Sequence, residues 1–324
     1  IDAERAGKAF SDLADLTIAA ALAAVEAEFR LRHGVVAGGK VVVLGMGKLG
    51  SRELTAGSDV DLILLYDHDD EVEQSDGEKS LAPSHYYARL TQRLIAAVSA
   101  PTAEGVLYEL DLRLRPSGNK GPVATHIDAF YKYQRNDAWI WEHMALTRAR
   151  PVAGERAFCD AVELGIAEIL AQPRDEASVF SAAAEMRATI AAEKPARDIW
   201  DLKLIAGGQI DLEFIAQSAR LTDHILADVW PPTSTGDTLS RLAPSFCSAQ
   251  CRDELGKAYE LYLTLTQIIR LCLTGPLDPA DVPPGLADLL LRATDLPDMS
   301  VLEAHISETA ARVAAHFEAL LGKN

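Results

Sequence analysis

Cysteine is scarce in this chain. Four residues (Cys159, Cys247, Cys251 and Cys272) occur in 324, with no Cys-x2-Cys pair, which excludes a disulfide scaffold and disfavours structural zinc. Reduced, buried thiols in a cytosolic protein are the expectation. Aromatics are few as well, at 6%, but a 48% apolar content is that of a folded globular chain rather than a disordered one. No apolar run approaches the ~18 residues of a membrane span. The opening Ile1-Asp2-Ala3-Glu4-Arg5 is neither a signal peptide nor an initiator methionine, so the chain reads as a piece of a longer, cytoplasmic protein with no membrane partner. Basic residues are also in deficit: 31 Lys and Arg against 48 Asp and Glu leave a net charge of −17. A surface that neutralises nucleic-acid phosphates needs the opposite excess. No nucleic-acid partner is expected, though a local cationic pocket can still hold one phosphate ligand.

The length suggests about two domains. Residues 3–32 carry Leu22, Val25 and Phe29 at helical spacing, and Gly34 ends that helix. Lys40–Met46 and Asp59–Tyr66 are β-branched and apolar runs that predict buried strands. A helix with Tyr87, Leu90, Leu94 and Val98 on one stripe follows, and Gly105–Leu114 alternates as a third strand. Beyond about residue 125 strand signals nearly vanish. Helical stripes take over at Ile210/Phe214/Gln217/Leu221, Leu261/Leu265/Ile268/Cys272 and Leu302/Ile306/Val313/Phe317/Leu320, with Pro/Gly-rich connectors near 231–236, 275–285 and 295–298. The pattern predicts a small α/β domain over 1–152 and a helical bundle over 153–324.

Gly45-Met46-Gly47-Lys48-Leu49-Gly50 matches a dinucleotide fingerprint, with Asp67 near the expected acidic position. Spacing argues against that reading. Only eight residues separate Gly50 from Asp59, too few for the crossover helix of a parallel βαβ unit, which takes at least ~10–12. A different constellation uses the same loop. Asp59 and Asp61, two apart on a strand, project to one side, and neighbouring carboxylates are costly unless cations lie between them. Two divalent ions bridged by phosphate oxygens are the two-metal solution for displacement at phosphorus, and Mg²⁺ suits a site with few protein carboxylates. On the third predicted strand, Glu109, Asp111, Arg113 and Arg115 share one face. Either acid is a candidate third carboxylate, and the two arginines are candidate triphosphate ligands. Lys48 and the amides around Gly47 and Gly50 sit where a helix N-terminus would meet the same phosphates; a solvated lysine is the alternative. The competing structural reading pairs Asp59 and Asp61 with Arg113 and Arg115 as plain ion pairs. For Trp139, Trp141 and His143, core packing is favoured over adenine stacking or acceptor docking. For Arg148 and Arg150, a salt-bridged face competes with phosphate contact.

Gly47-Lys48-Leu49-Gly50, Ser58-Asp59-Val60-Asp61-Leu62, Tyr108 through Gly118, Trp139-Ile140-Trp141-Glu142-His143, Ala145 through Arg150, and Lys203 through Phe214 together resemble the glutamine synthetase adenylyltransferase family. That resemblance implies an α+β fold class: a polymerase-β-like nucleotidyltransferase domain, with a small mixed sheet and helices, followed by an all-α helical bundle. It implies ATP as substrate, Mg²⁺ (with Mn²⁺ the other candidate), and a tyrosine of glutamine synthetase as acceptor of AMP, with pyrophosphate released. Synthetase activity falls as a result. Asp59, Asp61 and Asp111 match the family's metal-binding and catalytic carboxylates, Asp111 being the plausible acceptor of the tyrosine proton. Gly47, Lys48, Gly50, Ser51, Ser58, Arg113, Arg115, Lys203, Asp211 and Glu213 are the nucleotide-binding candidates. For Asp211 a purely structural place in the first turn of its helix is an equal alternative. Family members carry an adenylyl-removing half and an adenylyl-adding half. Tyr133 through Trp139 and the chain's end shortly after its helices resemble the adding, C-terminal half, with polar Gln209 departing from the apolar residue usual there. The resemblance also implies control by the PII signal protein. Phosphorolytic removal, another acceptor, and a non-catalytic regulatory module are the competing functions.

Overall fold

A computed structural model describes residues 2–103, 105–225 and 234–322 of the chain; residues 231–233 of the connector expected near 231–236 lie outside these. It is an α+β structure. Helix α1 (Ala3–His33) is capped by Asp2, whose side chain accepts the Arg5 N–H. The elements that follow are strand β1 (Lys40–Gly45), the single-turn helix α2 (Gly47–Gly50), strand β2 (Val60–Asp67) and helix α3 (Pro83–Val98). Short strands come next: β3 (Pro101–Thr102), β4 (Gly105–Val106), β5 (Leu110–Asp111) and β6 (Ala124–His126). Helices α4 (Ile127–Asn136) and α5 (Ile140–Leu146) lead to strand β7 (Arg150–Gly154) and helix α6 (Arg156–Leu170). The remainder is helical: α7 (Glu176–Glu193), α8 (Gln209–Leu221), α9 (Thr235–Ser240), α10 (Ala249–Cys272), α11 (Pro284–Thr294) and α12 (Met299–Leu321).

The sheet has the order β5-β2-β1-β7, with β6 also pairing β2. β1 runs antiparallel to β2 and β7, whereas β5 and β6 run parallel to β2, so the sheet is mixed. The antiparallel β1–β2 pair needs no crossover helix, which disposes of the dinucleotide fingerprint. Side-chain alternation sorts the apolar run of β1 and β2 to two faces. Val41, Val43, Leu62 and Leu64 meet Ile18, Leu22, Leu90 and Leu94 of α1 and α3. Val42, Leu44, Ile63 and Leu65 meet Phe130, Phe158, Val162 and Ile166 of α4 and α6. Both faces are covered, and that is why the strands read as continuous apolar runs rather than alternating ones. Each large side chain so buried contributes about 1.5–3 kcal/mol.

The structure departs from the sequence reading in several places. The strand expected over Gly105–Leu114 is broken. Gly105 and Val106 pair with Pro101 and Thr102 in a separate hairpin, and only Leu110 and Asp111 join the main sheet. The Asp111 side chain accepts the Arg113 N–H at 2.8 Å, a local bond that competes with strand extension, and Ser117 takes a left-handed conformation. Leu110 and Leu112 therefore pack on one side of the sheet and Leu114 on the other. Strands β6 and β7 lie where strand signals had faded; they are short, and β7 contains Pro151 and meets β1 through a register shift. β7 straddles residue 152, and α6 packs on the sheet. Cys247 and Cys251 are buried, but Cys159 is half-buried and Cys272 exposed. Among the described residues no helix is long and apolar enough to cross a membrane.

Helices α7, α8, α10, α11 and α12 share a separate apolar core around Leu212, Ile215, Tyr262, Leu265 and Ile306. Buried beside it, Arg187 of α7 donates Nε–H to Asp211 of α8, which also accepts the Gly207 N–H at 2.5 Å; the guanidinium reaches the Leu204 and Ile205 carbonyls at 3.1 and 3.0 Å. Breaking such a pair strands one charge. Asp211→Ala is therefore expected to cost about 3–5 kcal/mol in urea unfolding, and the double variant Arg187→Met/Asp211→Leu is expected to recover most of that loss.

Candidate functional site

The site is built on the turn between β1 and β2. Met46 donates its N–H to the Asp61 carbonyl at 2.8 Å, drawing α2 against the start of β2. Gly47 has φ +51°, and a Cβ there would strike Asp61 Oδ2. Only glycine lets the backbone lie over that carboxylate. At Gly50 a Cβ would collide with the Arg148 carbonyl. Arg150 pins the far side of the turn. Its guanidinium is paired with Asp15 at 2.7 and 3.0 Å and donates to the Leu49 and Gly50 carbonyls at 3.1 and 3.3 Å, so it is a structural tie rather than a phosphate ligand.

Asp61 is half-buried and stands opposite Asp111 in the parallel register of β2 and β5. Asp59, exposed, precedes the strand. Burial, then the charges of Asp59 and Asp111, push the Asp61 carboxyl up to about 6, against the opposing pull of Arg148 and Lys203. Asp111 is turned towards Arg113, accepting its backbone N–H, its Nε–H at 2.7 Å and its Nη2–H; this hydrogen bonding holds the carboxyl below its usual range. Glu109, the rival third acid, is exposed, and its carbonyl accepts the Val60 N–H at 2.9 Å. Among the described residues no three potential ligands are gathered in metal-holding geometry. The donor chemistry nonetheless fits a hard divalent cation: Asp61 and Asp111 are register partners on one strand pair, with Asp59 two residues before, beneath the Gly47 turn.

A cleft of about 630 Å³ opens beside Asp59. Lys48, Ser58 and Asp59 line the sheet side, and Lys203, Gln209 and Arg270 the helical side. Burial pushes the Lys48 ammonium down, Glu213 and Glu53 oppose that, and Lys203 and Arg148 add to it. Glu213 lies 3.2 Å from Arg148. Burial raises its carboxyl, but Arg148, Lys203 and Lys48 outweigh this and hold it below the ordinary value. Arg148 Nε is buried without a hydrogen-bond partner. The cleft thus sets the cations Lys48, Lys203 and Arg270 around Asp59, an arrangement suited to phosphate chemistry.

Several sequence candidates fall elsewhere. Arg113 and Arg115 do not share a face. Arg115 is buried and donates to the Leu112 and Gly121 carbonyls at 2.7 and 3.3 Å, a loop tie that the turn after Asp111 explains. Asp211 is taken up by Arg187 and the Gly207 amide, so its structural alternative is the one observed. Ser51 is buried, and its hydroxyl donates to Glu53 at 2.6 Å; the Ser58 hydroxyl meets that of Thr55 at 2.7 Å. Trp139, expected in a core, is 69% exposed. Gln209, the departure from the family pattern, donates to Tyr262 O at 3.2 Å and Thr266 Oγ1 at 2.9 Å, fastening α8 to α10. Sequence reasoning passed over Glu53, which no local pattern distinguishes.

Residues 1–164 match the family model described as glutamate-ammonia ligase adenylyltransferase. The chain is 68% identical over 321 residues to the bifunctional glutamine synthetase adenylyltransferase/adenylyl-removing enzyme of Mesorhizobium japonicum, covering 99% of this chain and 32% of that protein. It is 58% identical over 322 residues to the protein of the same description from Brucella suis (99% and 33% covered) and 53% over 319 residues to that from Rhizobium meliloti (98% and 32%). The chain spans about a third of the length of these curated relatives.

The raised Asp61 carboxyl has a consequence for stability. A group protonated more readily in the native state supports folding fully below its unfolded value of 3.8, and that support is lost as pH rises through about 6. In chelator, Asp61→Asn is expected to lose this fall and to exceed wild type at pH 7 by about 1–3 kcal/mol, as read by urea titrations across pH 3.5–7 (about the range over which the group titrates).

Proposed function

We propose, for a chain that belongs to the glutamate-ammonia ligase adenylyltransferase family, that it transfers AMP from ATP to a tyrosine hydroxyl of glutamine synthetase and so lowers nitrogen assimilation. The observation that carries the reading is the register pairing of Asp61 with Asp111, two residues on from Asp59, beneath the Gly47 turn and beside a cleft lined by Lys48, Asp59 and Lys203. The residues through α6 form a polymerase-β-like nucleotidyltransferase domain and α7–α12 a helical bundle, a division later than residue 152 because α6 packs on the sheet. In this reading the protein is cytoplasmic and PII signal protein is its regulatory partner.

The tyrosine oxygen attacks the α-phosphorus; the new O–P bond replaces the bond to the β-phosphate oxygen, and pyrophosphate leaves. Asp59, Asp61 and Asp111 would hold Mg²⁺ or Mn²⁺, which would supply charge neutralisation and favour loss of the tyrosine proton. A phenol with pKa near ~10 must give up its proton, and Asp111, once swung off Arg113, stands on the right strand to take it. Lys48 and Lys203 face the triphosphate from opposite walls of the cleft, and Arg113, released from Asp111, offers a third cation. Resemblance in Tyr133 through His143 supports the adding half over the removing half.

Incubation with α-labelled ATP, Mg²⁺ and purified glutamine synthetase tests this. Wild type is expected to label the synthetase, and Asp59→Asn and Asp61→Asn to fall to background. Unchanged transfer in both variants refutes the assignment. Release of ADP from adenylylated synthetase and phosphate would identify the removing reaction instead.

A further inference from the structure

We propose that Glu53 is a positioning residue: a clasp that fixes the Lys48 turn against the helical wall of the cleft and thereby sets the affinity for the nucleoside triphosphate. The inference rests on the nucleotidyl-transfer reading for its ligand, but its geometry stands apart from it. Glu53 is 7% exposed. A carboxylate so buried is costly unless its oxygens are hydrogen-bonded. The chain supplies four donors. Ser51 Oγ–H reaches Oε2 at 2.6 Å, the Thr235 N–H reaches Oε1 at 2.6 Å, the Thr235 hydroxyl reaches Oε2 at 3.1 Å, and the Tyr259 hydroxyl donates to Oε1. Ser51 belongs to the turn itself, whereas Thr235 opens α9 and Tyr259 lies in α10.

The tie continues on both sides. The Glu53 N–H donates to the Lys48 carbonyl at 2.8 Å, so the clasp acts directly on the residue that lines the cleft. Two turns beyond Tyr259, Gln267 donates to the Leu54 carbonyl at 2.8 Å. Residues 53 and 54 are thus gripped from α9 and α10 at three side chains. Glu53 does not line the cleft of about 630 Å³; it touches neither the acids nor the place for phosphates, and so acts through Lys48. Its charge adds to the effect, since it is among the groups that favour the Lys48 ammonium against burial. If the clasp loosens, Lys48 is no longer held at a fixed distance from Lys203 and Arg270 on the facing wall, and a triphosphate that must meet both walls binds less tightly.

Tyr259→Phe removes one donor with no change of shape, and Glu53→Gln removes the charge and presents an N–H where a donor now points. The expected result is a rise in KM for ATP of about threefold to tenfold for Tyr259→Phe and more for Glu53→Gln, with kcat changed less than twofold (about the scatter of such assays). The double variant is expected to be no worse than Glu53→Gln alone, because both act through one contact. Hydrogen exchange is read on the same proteins, and the amides of residues 47–53 are expected to exchange faster in both variants. An unchanged KM with unchanged exchange in Tyr259→Phe overturns the proposal, as does a fall in kcat at constant KM. If wild type transfers no label at all, the nucleotidyl-transfer reading fails, while the exchange of residues 47–53 still decides whether the clasp exists. Should Glu53→Gln fail to fold, Tyr259→Phe carries the test.

Discussion

Two carboxylates side by side on paired strands, half out of water, are an electrostatic liability that the rest of this molecule is arranged around. Asp61 and Asp111 are register partners, with Asp59 two residues before Asp61, and the carboxyl of Asp61 is held high as a result. No sheet-forming requirement demands acids there; leucine or valine would extend the strands at less cost. The cost is offset from other parts of the chain. Arg148 comes from the connection between α5 and β7, Lys203 from the segment before α8, and Arg113 from the turn after β5. Because those cations arrive from separate elements, the helices beyond α6 are part of the site rather than an appendage to it.

How much of this could be read from the sequence depends on the range of the interaction. The runs Lys40–Met46 and Asp59–Tyr66, the α1 stripe and the stripes of α8, α10 and α12 were legible because burial imposes a local period of two or 3.6 residues. The spacing of Asp59 from Asp61 and the glycines of the turn were legible for the same reason. What failed depended on partners distant in sequence or on turns that interrupt a period. The alternation of Leu110, Leu112 and Leu114 is real, yet it serves a chain that crosses the sheet edge rather than a strand. Asp211 looked available because its partner Arg187 lies 24 residues upstream, and Glu53 looked unremarkable because three of its four donors come from residues more than 180 positions away.

Charge at two scales separates what the site excludes from what it admits. The chain carries a net −17, a field that repels polyanions at a distance and makes extended nucleic-acid contact unfavourable. Around the candidate site the balance is different: the cations Lys48, Lys203, Arg148 and Arg113 stand among the carboxylates Asp59, Asp61, Asp111, Glu53 and Glu213. Glu53 is committed to hydrogen bonds, Glu213 to Arg148 and Asp111 to Arg113, so what remains for a ligand is Asp59, Asp61 and the two lysines. A bare triphosphate entering that space would meet the acids uncompensated. The proposed reading therefore requires divalent cations to enter with the nucleotide, since only a metal–triphosphate complex brings positive charge to the acids and negative charge to the lysines at once.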